Sequence, residues 1–138
     1  MIKKKKKKYL YQEEKPEYYH NSRFNLYINK SLIENAGNGV FTYDFIPNNT
    51  FIDYYEGEIK YFCKTGKYFV EINDDIGIDA FNYPRCYMAM INDSKGSIFS
   101  NNSYFKINFN DLVIEVWSIK DIKKDEELFI DYGSEYWI

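Results

Sequence analysis

Apolar and polar residues alternate over short stretches along most of the chain, and a turn separates each stretch from the next. The residues from Phe24 to Ile28 alternate in this way, and Thr50 to Ile59 has the composition of a longer strand. A period of two is typical of strands that bury one face, whereas an amphipathic helix repeats every 3.6 residues. Turn signals at intervals of roughly eight to twelve residues are typical of all-β domains. The pattern therefore predicts a mainly β fold with several small sheets and little helix.

The other predicted elements are short. Gly37-Asn38-Gly39 is a turn signal before the apolar stretch that begins at Val40, and Gly57 inside a strand marks a bulge or a close approach of two backbones. The best helix candidate is Pro84 to Ile91, which carries apolar residues at helical spacing. Asn110-Asp111 between two apolar stretches predicts a hairpin. Further strands are predicted at 68–72, 76–80, 105–109, 112–119 and 128–132.

Charge is unevenly placed along the 138 residues, a length that suits one domain with a real core. Lys3 to Lys8 form an unbroken run of six lysines. The net charge is −3, but without that run 12 basic residues face 21 acidic ones, a balance of −9. An acidic body favours a basic partner and argues against a nucleic-acid-binding body. We therefore predict a lysine-rich, partly disordered tail over residues 1–20 and a folded domain over residues 21–138.

The lysine run itself allows two interpretations. Basic runs of this length are typical of nuclear-localisation signals and of tails that contact nucleic acid. The simpler interpretation is a solvated end of the domain. No apolar segment follows the run, so the pattern does not match a secretory signal. No apolar run in the chain approaches the ~18–20 residues that span a bilayer, so we expect no membrane association.

Residue types that often carry chemistry are sparse. The two cysteines, Cys63 and Cys86, fit no zinc-binding spacing, and we interpret them as buried thiols of a reducing compartment, with a disulfide as the alternative. The single histidine, His20, lies in the polar segment near the start. Glu126 and Glu127 are interpreted as solvated turn residues and not as an acid–base pair. The sequence therefore predicts no metal site.

Four short motifs occur in a fixed order, and each alone is weak, since a Gly-x-Gly is more often a turn than a ligand site. They are Ala36-Gly37-Asn38-Gly39-Val40-Phe41, Tyr54-Tyr55-Glu56-Gly57-Glu58, Ile91-Asn92-Asp93-Ser94 with Asn101-Asn102 after it, and Asp121-Ile122 with Asp125-Glu126-Glu127-Leu128 and Asp131-Tyr132-Gly133 after it. Together, over residues 30–137, they resemble the SET domain of protein lysine methyltransferases. The short chain without flanking cysteine-rich segments resembles, within that family, the small stand-alone SET enzymes of large DNA viruses.

The resemblance implies a β-clip-like fold in which the C-terminal segment threads in a knot-like way under the loop that carries Asn92. It implies that Tyr132 is the catalytic tyrosine and that Tyr55 lines the channel for the substrate lysine. Tyr54 would then face the opposite side of the strand, because neighbouring side chains alternate. It also implies that Asn102 pins the knot through hydrogen bonds to the backbone.

The resemblance further implies S-adenosylmethionine as the cofactor. Its binding residues would be Ala36, Gly37, Asn38, Gly39, Asn92, Asp93, Tyr132 and Trp137. Asp93 stands where the family has a histidine. It can replace that histidine if the family's contact comes from the backbone, and cofactor affinity is in doubt if the imidazole is needed. Trp137 would pack over the cofactor or the channel mouth, or would instead seal the core.

The implied function is transfer of a methyl group from S-adenosylmethionine to a lysine of a basic protein or peptide, such as a histone tail. The alternative is a catalytically inactive SET fold that acts as a peptide- or chromatin-binding module. Asp93 favours that alternative, as does Ala89-Met90 where the family has Arg-Phe. The same resemblance implies an intracellular protein of the host nucleus or a viral factory, and it is compatible with a homodimer.

Overall fold

Ten short strands form four small sheets in the computed structural model of the chain, which describes residues 17–61 and 66–133. The only helix in these two ranges is one 3₁₀ turn at Tyr87–Met90, so no helix there is long and apolar enough to cross a membrane. The prediction of a mainly β fold is confirmed. The strands are β1 (Tyr18–Tyr19), β2 (Leu26–Lys30), β3 (Asn38–Thr42), β4 (Phe51–Tyr55), β5 (Glu58–Tyr61), β6 (Phe69–Glu71), β7 (Ile76–Asp79), β8 (Arg85–Cys86), β9 (Ser103–Asn108) and β10 (Val113–Ser118).

Most strand pairs are antiparallel. Strands β4, β10 and β9 form one three-stranded sheet in that order, and β5, β7 and β6 form another. Strand β2 pairs with β3, and β1 pairs with β8 in parallel. The predicted hairpin at Asn110-Asp111 is present, with Val113 opposite Asn108 and Ser118 opposite Ser103. The inner faces of these sheets meet in one apolar core, whose fully buried members include Ile52, Ile114 and Val116.

The single strand expected over Thr50–Ile59 is two strands in the structure. Strand β4 ends at Tyr55 and β5 begins at Glu58, in different sheets. At Gly57 between them, a Cβ atom would lie 2.3 Å from the backbone oxygen of Asp79. Only glycine allows two backbones to come so close. The prediction of one strand is therefore wrong, whereas the close approach at Gly57 is confirmed.

The helix expected over Pro84–Ile91 is also wrong, except for the 3₁₀ turn at its centre. Arg85 and Cys86 are extended because they pair with Tyr18 and Tyr19, and Ile91 is extended as well, with φ −73° and ψ 130°. These partners are distant in sequence, so local apolar spacing could not reveal them. The same pairing brings β1 into the fold, and ordered structure therefore begins within the range assigned to the tail.

The C-terminal segment 127–132 is not the regular strand that the sequence predicts. It forms isolated bridges only: Glu127 pairs with Phe41 in antiparallel fashion, whereas Phe129 pairs with Asn92 and Ile130 with Ser103 in parallel. The segment therefore lies against three chain segments that precede it, and Ile130 is fully buried. Knot-like threading stays a prediction, as do the interpretations of Lys3–Lys8, Cys63 and Trp137, which lie outside the described residues.

Candidate functional site

Six of the predicted site residues line one cleft of about 1060 Å³. They come from four segments that are far apart in sequence: the turn before β3, the end of β4, the loop after the 3₁₀ turn, and the C-terminal segment. The fold therefore brings together residues that only the resemblance had grouped. The six are Ala36, Gly37, Asn38, Tyr55, Asn92 and Tyr132.

Tyr132 is half-buried and is held at both ends. Its hydroxyl donates a hydrogen bond to the backbone oxygen of Ile91. Its backbone N–H donates to Oδ2 of Asp93 at 2.9 Å. The phenol is therefore a hydrogen-bond donor at a fixed place beside the cleft.

Tyr55 and Tyr54 face opposite sides of β4, as the alternation rule predicts. Tyr55 is buried and lines the cleft, whereas 40% of Tyr54 is exposed. The Tyr55 hydroxyl donates to the backbone oxygen of Tyr68. Burial raises the pKa of the Tyr55 phenol far above its ordinary value, and the nearby Cys86 thiol acts in the same direction. Tyr55 is consequently neutral and contributes a rigid aromatic wall, not a base.

An aromatic wall around Tyr55 escaped the sequence analysis. Tyr68, Phe69 and Phe105 line the cleft, and the Phe105 ring meets Tyr55 edge to face at 5.6 Å. The Tyr68 ring lies against the buried Arg85 guanidinium, 3.8 Å from its centre. These residues belong to strands or to the turns beside them, where aromatics are common, and only their shared orientation toward the cleft marks them.

The glycine turn differs from its predicted extent. The turn ends at Gly37, whose φ of +73° favours glycine, and Asn38 and Gly39 are the first residues of β3. A Cβ atom on Gly39 would lie 2.2 Å from Oε2 of Glu127. Gly39 is not among the residues that line the cleft. Gly39 is therefore needed for close packing against Glu127. Its predicted contact with the cofactor stays a prediction.

Glu127 corrects one interpretation from the sequence. It is only 2% exposed, and its carboxylate accepts hydrogen bonds from the Ser31 hydroxyl at 2.7 Å and the Leu32 N–H at 2.8 Å. The prediction of a solvated turn residue is wrong for Glu127, whereas Glu126 is exposed. A buried carboxylate needs such donors, and here they lie 95 and 96 positions away in sequence. The network holds the segment before the glycine turn against the C-terminal segment.

Asn92 connects two of the segments that form the cleft. Its side-chain Nδ2 donates to the backbone oxygen of Asn38 at 3.0 Å, and its own backbone oxygen accepts from the Ile130 N–H at 2.9 Å. The side chain is partly exposed where it borders the cleft. It therefore lies where an amide can both brace the glycine turn and contact a ligand.

A comparison with known protein families identifies the domain. The family model described as "SET domain" matches residues 37–133, well over half of the chain. The chain belongs to the SET domain family. No curated protein matches the chain significantly. The fold of this SET domain is also found in several solved structures.

Two of those structures contain KRYPTONITE. One, in complex with mCHG DNA and SAH, has a TM-score of 0.67 and 22% identity, and the match covers 82% of this chain and 24% of that one. The other, in complex with mCHH DNA, H3(1-15) peptide and SAH, has a TM-score of 0.66 with the same identity and coverage. The Chaetomium thermophilum polycomb repressive complex 2 matches with a TM-score of 0.65 and 26% identity, over 80% of this chain and 15% of that one. This SET domain thus spans about a quarter or less of the chains it resembles.

Asn102 makes the backbone hydrogen bonds in this SET domain that the resemblance implies. Its buried side chain donates from Nδ2 to the backbone oxygen of Glu127 at 2.9 Å and accepts at Oδ1 from the Phe129 N–H at 2.8 Å. One amide therefore satisfies two backbone groups of the C-terminal segment. The predicted hydrogen bonds to the backbone are confirmed.

Asp93 lies beside the main cleft of the SET domain and not in its lining. It borders a neighbouring smaller cleft of about 440 Å³, and its carboxylate is buried and hydrogen-bonded to backbone and side-chain donors. The structure therefore does not support a contact between the Asp93 side chain and the cofactor. The backbone of Asp93 stays a candidate for that contact.

Three charged side chains line the main cleft of the SET domain: Lys67, Glu71 and Asp131. Their formal charges give the lining a net charge of −1 at neutral pH. Within residues 17–61 and 66–133, no three His, Cys, Asp or Glu side chains are grouped in a way that could hold a metal ion. The cleft therefore offers aromatic faces, amide groups and a slight excess of negative charge.

Proposed function

We propose that this SET domain is an S-adenosylmethionine-dependent protein-lysine methyltransferase. The observation that carries the proposal is the position of Tyr132, which borders the same cleft as the Gly37 turn, Asn92 and Tyr55. A tyrosine that only packed against the core would not need to border the same cleft as the Gly37 turn, Asn92 and Tyr55. Structures with a similar fold were determined with SAH or S-adenosylmethionine bound, which supports the same cofactor here.

The cleft fits this cofactor in size and charge. Ligand pockets usually measure about 300–1,000 Å³, so about 1060 Å³ leaves room for a cofactor and a lysine side chain together. S-adenosylmethionine carries a net positive charge at neutral pH, and the lining has the opposite sign. The backbone of Ala36, Gly37 and Asn38 and the Asn92 amide would hold its polar end. When bound, the cofactor supplies an electrophilic methyl group on a positively charged sulfur.

The aromatic wall would prepare the substrate lysine. A free lysine has a pKa of about 10.4 and must lose its proton before its nitrogen can attack. Burial between Tyr55, Tyr68 and Phe105 would remove water from the amine and lower its pKa. The same faces attract an alkylammonium group, so they can bind lysine before it loses the proton.

The substrate we propose is a basic peptide such as a histone tail. Strand β6 is an edge strand of its sheet, and its residues Phe69, Val70 and Glu71 line the cleft. An extended peptide can add to such an edge through backbone hydrogen bonds. The acidic body favours the approach of a basic chain. The KRYPTONITE complex with an H3(1-15) peptide supports this class of substrate.

A second candidate function is a peptide- or chromatin-binding module without catalysis. The replacement of the motif histidine by Asp93 favours it. Two measurements decide between the candidates: isothermal calorimetry with S-adenosylmethionine, SAH and a histone peptide as separate ligands, and transfer of a labelled methyl group to a histone mixture. Binding with transfer supports the enzyme, whereas peptide binding without cofactor binding or transfer supports the module.

Asn92→Ala is expected to weaken S-adenosylmethionine binding by about 1–3 kcal/mol, the scale of a lost buried polar contact. The dissociation constant would then rise roughly 5- to 150-fold. The measurement is a calorimetric titration of the folded variant. Asn110→Ala, on an exposed hairpin turn, is the matched control and should bind like wild type. Equal affinity of the Asn92 variant and wild type would show that this amide braces the turn without contacting the cofactor.

Deletion of Met1–Lys8 is expected to leave the rate on a short peptide nearly unchanged, because the lysine run lies outside all four motifs. The rate should be compared on a short histone peptide and on nucleosomes. A reduction seen only with nucleosomes would identify the run as a nucleic-acid-contacting arm. A loss above tenfold on the peptide, about 1.4 kcal/mol in the barrier, would contradict the prediction.

The biological setting that we propose follows the resemblance to the stand-alone SET enzymes of large DNA viruses. It places the protein inside a host cell, in the nucleus or a viral factory. Fluorescence imaging of the tagged protein, with and without Lys3–Lys8, would test the nuclear placement directly.

A further inference from the structure

We propose that the Asp93 side chain is a positioning residue for Tyr132 and not a cofactor ligand. The inference rests on the proposed methyltransferase function. Its starting point is burial: Asp93 is only 7% exposed, and it stands where the family has a histidine. A carboxylate removed from water needs donors, so its partners indicate its role.

The Asp93 carboxylate accepts hydrogen bonds from several donors, and one of them is the backbone N–H of Tyr132. Oδ2 accepts from the Tyr132 N–H at 2.9 Å. Oδ1 accepts from the Lys95 N–H at 2.9 Å and from Nδ2 of Asn101 at 3.3 Å. The bonds to Lys95 and Asn101 orient the carboxylate, and the oriented carboxylate fixes the backbone of Tyr132. Hydrogen bonds to a charged acceptor are stronger than those between neutral groups.

The short segment 91–93 therefore holds Tyr132 through two hydrogen bonds. The Tyr132 hydroxyl donates to the Ile91 backbone oxygen, and its N–H donates to the Asp93 side chain. Ile91 and Asp93 lie two residues apart in an extended stretch. With the backbone held by Asp93, moving the side chain to another χ1 rotamer would break the hydroxyl's bond to Ile91. Small displacements of a reacting group cost much of the rate, so such anchoring is useful to catalysis.

The hydrogen bonds of Asp93 explain why an aspartate can stand here in place of the family's histidine. A carboxylate accepts hydrogen bonds at two oxygens, whereas a neutral imidazole has a single acceptor nitrogen. An imidazole at this position could not accept from both the Lys95 and the Tyr132 N–H groups. The Asp93 side chain does not line the main cleft. A substitution of this side chain therefore removes no group that the cofactor would touch there.

Asp93→Ser is the sharpest test. A serine hydroxyl can still accept from the N–H two residues ahead, which keeps the local turn at Lys95. It is too short to reach Tyr132 as well. We expect kcat at saturating cofactor to fall about tenfold, while the dissociation constant for S-adenosylmethionine stays within about twofold of wild type. Asp111→Asn, in the exposed hairpin turn, is the control and should change neither value.

A double variant separates positioning from other effects. If Asp93 acts through Tyr132, Asp93→Ser combined with Tyr132→Phe should be no slower than Tyr132→Phe alone. Asp93→Asn, which keeps the size of the side chain, repeats the test if the serine variant melts early. Additive losses, or a cofactor affinity lowered more than tenfold with kcat unchanged, would overturn the proposal. Wild-type protein that neither binds the cofactor nor methylates would instead refute the methyltransferase function itself.

Discussion

Tyr132→Phe is expected to lower turnover at least ~100-fold while the fold and most of the cofactor affinity remain. Phenylalanine fills the same space, so the only group lost is the hydroxyl. That hydroxyl is fixed by its bond to the Ile91 backbone oxygen and by the second anchor at Asp93. Removing one preorganised polar group from a transition state typically costs about 10²–10³ in rate.

The structure also predicts a loss of stability in this variant. The Ile91 backbone oxygen would lose its partner, which costs on the order of 1–3 kcal/mol where the group is buried. Thermal melting and cofactor titration must therefore accompany the rate assay. Tyr54→Phe, on the exposed face of β4, is the matched control and should keep both rate and melting temperature. A Tyr132→Phe protein that methylates at a similar rate would reduce Tyr132 to a packing residue and refute the mechanism.

Gly57→Ala is expected to lower the free energy of unfolding by about 3 kcal/mol, in the upper range for a single substitution. The new Cβ would lie 2.3 Å from the Asp79 backbone oxygen and 2.9 Å from the Ala80 Cα. These are backbone atoms, so no side chain can turn away. Relief requires β5 and β7 to separate, and β7 also pairs with β6, which lines the cleft.

Gly96→Ala is the informative comparison for Gly57. Nothing lies within 4 Å of its Cβ position, but its φ of +81° disfavours a side chain. It should cost only about 1 kcal/mol, the scale of backbone strain without a clash. Denaturant unfolding of both variants measures the difference. Equal losses at the two positions would mean that backbone strain, and not the contact with Asp79, explains why residue 57 is glycine.

The mainly β architecture was readable from the sequence because it depends on local information. Alternation along β9 and β10 and the Asn110-Asp111 turn specify a hairpin without help from the rest of the chain. The opposite faces of Tyr54 and Tyr55 follow from the same period of two. The six candidate site residues that line the cleft were grouped by the resemblance to the SET family, since no local pattern in the sequence marks them as a site.

The predictions that were wrong concern residues whose partners are far away in the chain. Arg85 and Cys86 have helical spacing of apolar neighbours, yet they are extended because β1 offers a parallel strand. Glu127 looks like a turn residue in sequence, yet the Ser31 hydroxyl and the Leu32 N–H make its burial favourable. In both cases a tertiary hydrogen bond outweighs a local preference of a few tenths of a kcal/mol.

The sequence by itself determined the fold class through its periodicity and the family through motifs in a fixed order, and by resemblance it indicated Tyr132 as the candidate catalytic tyrosine. Only the tertiary structure decided what surrounds that tyrosine: the aromatic wall of Tyr68 and Phe105, and the anchoring of Tyr132 by Ile91 and Asp93. A side chain's hydrogen-bond partner depends on where the backbone places donors and acceptors in space. That placement is a property of the packed sheets and not of neighbouring residues in the sequence.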